Sequence, residues 1–282
     1  GMSGRPTSTL GFERVANPYL DPGLDREAFV ERILGNVPPF PDYYRRMKRL
    51  NADGPPTLGH HPGGLPGLDT LPVERFSQLA ADGEHLVIDL RDQLSFGGGH
   101  VPGAFGIGAG GKLSTWASWV VPYERPILLV GESHADKELR HEEIETAVRG
   151  LVRVGLDRVV GHLDGGMEAW VEAGSAIEHT PQVTARQLAD KLAAGEELHV
   201  VDVREDDEWD AGHVAGAHHL PAGTLGERLD ELPEGDAPLV VLCGSGYRST
   251  VAASVLERAG RGPVWNLTGG MRAWQAAGLG VE

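Results

Sequence analysis

Apolar residues fall in short blocks separated by Gly- and Pro-rich breaks, and the blocks alternate between two periods. Continuous runs at Leu86–Leu90, Ile127–Val130, Leu198–Val203 and Leu239–Leu242 predict buried strands. Between them, Val73–Ala81, Glu142–Val154, Thr184–Ala194 and Arg248–Arg258 carry apolar residues at helical spacing. Shorter runs at Arg158–Gly161 and Val264–Leu267 predict closing strands, each followed by a helix on a Gly-Gly-Met motif. Strands alternating with helices predict an α/β fold with a parallel sheet flanked by helices.

The pattern occurs twice. Asp89-Leu-Arg91 and Gly99-His-Val-Pro-Gly-Ala104 recur as Asp202-Val-Arg204 and Gly212-His-Val-Ala-Gly-Ala217. Leu163-Asp-Gly-Gly-Met-Glu-Ala-Trp170 recurs as Leu267-Thr-Gly-Gly-Met-Arg-Ala-Trp274. The same motifs in the same order indicate a duplicated domain. The expected division is an extension at 1–69, a first domain at 70–178 and a second at 179–282, with the linker around His179-Thr-Pro-Gln. The extension is expected to be mainly helical, with Asp25–Leu34, a Pro-rich break at 37–41 and a basic, aromatic helix at Tyr43–Leu50. The basic run reads as a solvated face, and the adjacent His60 and His61 as polar surface with no metal role.

With 282 residues, 40% of them apolar and 23% charged, the chain suits two soluble globular domains. A net charge of −16 argues against nucleic-acid or anionic-membrane partners, which need a basic footprint. No run is long and apolar enough to span a membrane, and the single cysteine permits no internal disulfide. Both features fit a cytoplasmic location.

That cysteine, Cys243, follows the strand Leu239–Leu242 and precedes Gly244-Ser-Gly-Tyr-Arg248-Ser-Thr. The thiol is therefore expected at a strand's carboxyl end, facing a helix N-terminus that favours an anion, whether thiolate or bound oxyanion. Gly244 and Gly246 permit positive φ, so that N–H groups can converge on one point. Arg248 can grip an oxyanion or pair with an acid such as Asp202 or Glu208. Ser249 or Thr250 can cap the helix, and Tyr247 is a candidate for the pocket rim. Asp202 and Arg204 read as an ion pair fixing loops, His100 and His213 as architectural, and Trp170 and Trp274 as core anchors.

The Cys243–Arg248 loop, the Asp-x-Arg with Gly-His-Val-x-Gly-Ala, and the closing Gly-Gly-Met-x-x-Trp together resemble the rhodanese superfamily. The resemblance covers about residues 70–282 as a tandem pair. It implies a sulfurtransferase that needs no cofactor and carries sulfane sulfur on Cys243 as a persulfide. Gly244, Ser245, Gly246, Tyr247, Arg248 and Ser249 would form the substrate cradle. The implied partners are a small sulfur anion or low-molecular-weight persulfide as donor, and cyanide or a thiol as acceptor.

In the first copy Gly131 stands where the second has Cys243, and the stretch from there to the Gly-Gly motif is about eight residues longer. That copy is expected to be catalytically silent. Ser133 and His134 give no nucleophile elbow that would support a hydrolase. The rival enzymes are a Cys-dependent phosphatase or arsenate reductase, which place five residues between Cys and Arg; here four intervene. The non-enzymatic rival is a persulfide carrier or interaction module.

Ahead of the repeats, Ser8-Thr-Leu-Gly-Phe-Glu-Arg14 with Asn17-Pro18, Phe29-Val, and Pro41-x-Tyr-Tyr-x-x-Met47 resemble the tail of a metallo-β-lactamase-fold persulfide dioxygenase fused to rhodanese domains. The His-x-His-x-Asp-His pattern of that fold is missing, so no iron is expected. The chain would be the rhodanese portion of a fusion or a relative lacking the dioxygenase domain, and such a dioxygenase becomes a candidate partner.

Overall fold

The computed structural model describes residues 7–35, 42–55, 57–58, 64–133 and 136–282. His60, His61, His134 and the Pro-rich stretch 37–41 lie outside them. The chain divides into two compact units, Gly1–Tyr44 and Arg45–Glu282.

In the first unit, α1 (Leu10–Ala16) begins where the Thr9 hydroxyl accepts the Phe12 N–H. The second helix, α2 (Arg26–Leu34), begins where Asp25 accepts the Ala28 N–H. Neither helix buries a residue, and several large apolar side chains such as Leu10, Val15 and Leu34 are exposed. The boundary falls within α3 (Asp42–Asp53). Its basic run is not merely solvated: Arg46 pairs with Glu124 at 2.6 Å and lies over the Tyr123 ring at 4.7 Å.

The second unit holds two copies of one topology. The first copy runs β1 (Thr70–Leu71), α4 (Val73–Ala81), β2 (Leu86–Asp89), α5 (Gln93–Gly98), β3 (Phe105–Gly106), α6 (Leu113–Val120), β4 (Ile127–Val130), α7 (Lys137–Arg153), β5 (Val159–Leu163) and α8 (Gly166–Glu172). The second runs β6 (Gln182–Val183), α9 (Ala185–Ala193), β7 (His199–Asp202), α10 (Asp206–Asp210), β8 (His218–His219), β9 (Leu239–Leu242), α11 (Tyr247–Arg258), β10 (Val264–Leu267) and α12 (Gly270–Ala276). Each sheet has five strands, all parallel, in the orders β1-β5-β4-β2-β3 and β6-β10-β9-β7-β8. The central strands β4 and β9 are buried along their whole length, which is why they read as unbroken apolar runs.

Two smaller apolar clusters lie on the outer faces, one per repeat, and contain Trp170 and Trp274. Each indole N–H donates to a carbonyl six residues on, Ala176 and Gly280. A third cluster is shared. It joins Leu90, Phe105 and Ile107 of the first repeat to Val251, Ala252, Leu256 and Cys243 of the second. The helix that follows the cysteine loop is therefore also the helix on which the repeats pack.

The linker is pinned. Thr180 is 2% exposed, its N–H donates to the Gly97 carbonyl, and its hydroxyl donates to Glu257 at 2.8 Å.

Candidate active site

In the second sheet Asp202 lies in register with Leu242, so Asp202 and Cys243 emerge together at the strands' carboxyl ends. Asp202 accepts from three donors of Arg204, its backbone N–H at 3.1 Å, Nε at 2.9 Å to each carboxylate oxygen and Nη2 at 2.6 Å. Arg204 donates onward to the carbonyls of Gly212 and Glu208. The pair thus staples the Gly-His loop and α10 to the strand end, with both residues buried. Asp89 and Arg91 repeat this arrangement on Gly99. His213 stacks on Trp209 and His100 on Phe96, with centroids 3.5 and 3.8 Å apart. All of these residues are scaffold in both copies.

Cys243 is 1% exposed and lies at the base of a cavity of ≈ 260 Å³. The Gly246 N–H donates to its Sγ at 3.1 Å. Gly246 has φ 112°, a conformation that favours glycine. Gly244 is not in the positive-φ region, so the expected glycine role holds for one of the two. Ser249 and Thr250 do not cap the helix by accepting from its N–H groups. Their hydroxyls donate to the Gly246 carbonyl at 3.0 and 2.9 Å, beside the Thr250 N–H at 3.0 Å. Three donors on one carbonyl hold the turn. The N–H groups of the first turn of α11 have no acceptor within the helix, as at any helix start.

The Gly-Gly-Met motif has a role its sequence did not disclose. The Met271 N–H donates to the Cys243 carbonyl at 2.8 Å and the Arg272 N–H to Gly244 at 3.1 Å. A Cβ on Gly270, at φ 55°, would lie 2.1 Å from the Cys243 carbonyl oxygen. Only glycine lets α12 approach the loop so closely.

Arg248 forks onto Glu208, with Nη1–Oε2 at 2.5 Å and Nη2–Oε1 at 2.7 Å. The guanidinium holds the Glu208 carboxyl below the usual range, and the carboxylate raises the arginine in turn. Burial pushes Glu205, nearby, upward. Tyr247 is at the rim: its hydroxyl donates to the Gly108 carbonyl of the first repeat at 2.8 Å, and burial pushes its phenol well up. Ser245 lines the cavity. So do three cations from outside the loop, Lys112, Arg204 and Arg272. Arg272 is distinguished by comparing the repeats, because the first copy carries Glu168 at the matching place.

Gly131 occupies the end of β4, and a Cβ there would meet Ile144 at 3.2 Å. Five residues separate Gly131 from α7, against three between Cys243 and α11. Ser133 is tied to α8, donating to Gly165 at 3.1 Å and accepting from the Glu168 N–H at 3.3 Å. Among the described residues no group of His, Cys, Asp and Glu could hold a metal ion, and no helix is long and apolar enough to cross a membrane.

The family model described as "Rhodanese-like domain" matches residues 72–173 and again 184–277. The "Putative sulfur carrier protein YrkF" of Bacillus subtilis is 32% identical over 139 residues, 49% of this chain and 69% of that protein. The "Probable adenylyltransferase/sulfurtransferase MoeZ" of Mycobacterium tuberculosis is 38% identical over 94 residues, 33% of this chain but 24% of that protein. A protein of Allochromatium vinosum named "Sulfurtransferase" is 35% identical over 100 residues, 36% of this chain and 92% of that protein. With its two matched domains and twice-built parallel sheet, this chain belongs to the rhodanese family.

Proposed function

We propose that the protein is a sulfurtransferase working through a persulfide on Cys243. The observation that carries this reading is the thiol at the base of a polar cavity, with the Gly246 N–H aimed at its Sγ from 3.1 Å. With thiosulfate, the Cys243 thiolate attacks the outer sulfur, the S–S bond breaks, and sulfite leaves with the electron pair. Cyanide or a thiolate then attacks the outer sulfur of the persulfide, giving thiocyanate or a new persulfide and returning the Cys243 thiolate. A low-molecular-weight persulfide would enter by the same step, with a thiolate as leaving group. The Gly246 N–H stabilises anionic sulfur, and the turn is held by Ser249 and Thr250. Three residues between Cys243 and the helix make a nest sized for one sulfur atom.

Intact mass after incubation with each donor should show one added sulfur, and Cys243→Ser should abolish both that mass shift and turnover. Residual turnover above a few per cent in the serine variant would remove Cys243 as sole carrier. The carrier name of the Bacillus relative favours a second reading, that of a persulfide carrier without turnover. Loading of Cys243 with no steady-state transfer to cyanide or thiols would establish that reading instead.

A further inference from the structure

Four cationic side chains line the cavity over Cys243. Two are neutralised in place, Arg204 by Asp202 and Arg248 by Glu208. Lys112 and Arg272 are different: neither has a carboxylate within salt-bridge distance among the described residues, and both are exposed. The Lys112 ammonium lies over the Tyr247 ring, 5.6 Å from its centroid. The cavity therefore holds two cations free to meet a ligand.

Lys112 belongs to the silent repeat, at the residue before α6. Its reach into the other repeat's cavity is set by packing. The Tyr247 hydroxyl is bonded to Gly108, four residues upstream, and a Cβ on Gly108 would lie 3.4 Å from the Tyr247 ring. Trp119, further along α6, lies so close to Gly223 that a Cβ there would meet it at 3.0 Å. The matching hollow in the silent repeat has the opposite character, lined by Glu132, Glu168 and Glu172, with its one arginine, Arg91, paired to Asp89.

We propose that Lys112, contributed by the catalytically silent repeat, acts with Arg272 to select sulfur donors that carry an anionic group in addition to the sulfur transferred. The inference rests on the sulfurtransferase reading of Cys243. A sulfonate, as in thiosulfate, and a carboxylate, as in glutathione persulfide, share this chemistry. In either case the anion meets two cations that no protein carboxylate already satisfies.

The test compares kcat/KM for thiosulfate, glutathione persulfide and the persulfide of 2-mercaptoethanol, whose tail is uncharged. In Lys112→Ala the preference for an anionic over the uncharged donor should fall about tenfold, the effect of losing one favourable charge contact. Lys112→Glu should lower it further, Lys112→Arg should restore it, and the loss should appear mainly in KM. Which anionic donor suffers more identifies the group recognised. An unchanged preference in both Lys112→Ala and Lys112→Glu overturns the proposal while leaving the role of Cys243 intact. Failure of the unsubstituted protein to load or transfer sulfur from any of the donors overturns the sulfurtransferase reading and this inference with it.

Discussion

Arg248 could bind the donor or hold the loop, and its bidentate contact with Glu208 lets one experiment separate the roles. If the ion pair anchors the loop, Glu208→Gln loosens it and lowers kcat/KM with thiosulfate, in the same direction as Arg248→Ala. If Arg248 is a donor site held back by Glu208, the same change frees a charge and raises kcat/KM. The geometry supports the anchor, because both Arg248 terminal nitrogens are committed to the carboxylate. We expect Arg248→Ala to lose roughly ten- to a hundredfold, as for one charge-assisted contact. Glu208→Gln should lose less, since its amide still accepts from the guanidinium. Steady-state kinetics with thiosulfate decide it. At this scale the position proposed for the nucleophile was legible from the sequence, because a lone Cys between a strand and a Gly-x-Gly turn is placed at a strand's carboxyl end. Its surroundings were not. Lys112 arrives from a segment more than a hundred positions away, and Glu208 is one of several acids in a row.

Among the elements, α11 links chemistry to architecture. Its first turn faces Cys243, and its last carries Glu257 into the boundary between the repeats. There Glu257 accepts from Thr180 at 2.8 Å, while its other oxygen has no hydrogen-bond partner. The buried Nε2 of His100 is 3.9 Å from that oxygen and equally far from Glu178. Burial, with the Glu178 charge adding to it, pushes the Glu257 carboxyl up to about 7 from 4.5. A raised carboxyl gives stability that is complete below the unfolded value and is lost as pH rises through the folded one. Wild type should therefore lose stability through this group between about pH 4.5 and 7. Glu257→Gln keeps the acceptor for Thr180 without that loss. Burial lowers His100 and gives the opposite slope, but does so in both proteins. The stability advantage of Glu257→Gln in urea unfolding should grow from pH 5 to pH 8, by up to about 3 kcal/mol. A difference independent of pH would show that Glu257 stays charged when folded. Element legibility followed burial. The four-residue apolar strands were plain, whereas the two-residue edge strands β1, β3, β6 and β8 are too short to show a period. The missed helix α6 did carry a signal, with Leu113, Trp116, Ala117 and Val120 at helical spacing.

For the whole molecule, the shared apolar cluster means that the two repeats are one folding problem. The duplication was readable from repeated motifs, but the interface was not, because α11 is apolar toward its own sheet and toward the neighbour alike. A fragment of residues 179–282 would expose the side of α11 that carries Tyr247, Thr250 and Arg258 and lose the bond from Tyr247 to Gly108. We expect its thermal midpoint to fall by about 10 °C or more. Its turnover with anionic donors should fall more than its loading by the uncharged one, because Lys112 leaves with the first repeat. A fragment as stable and as active as the full chain would show that the interface contributes neither.

The depth of Cys243 also bears on time. A sulfur atom placed on a thiol that is 1% exposed sits in a cavity framed in part by Tyr247, Lys112 and Arg272. Slender nucleophiles such as cyanide can follow it in, whereas a bulky thiol or another protein's cysteine must first thread or displace that frame. The persulfide would thus have a lifetime set by the size of what it encounters, and the sulfur would be held as guarded cargo between one small molecule and the next.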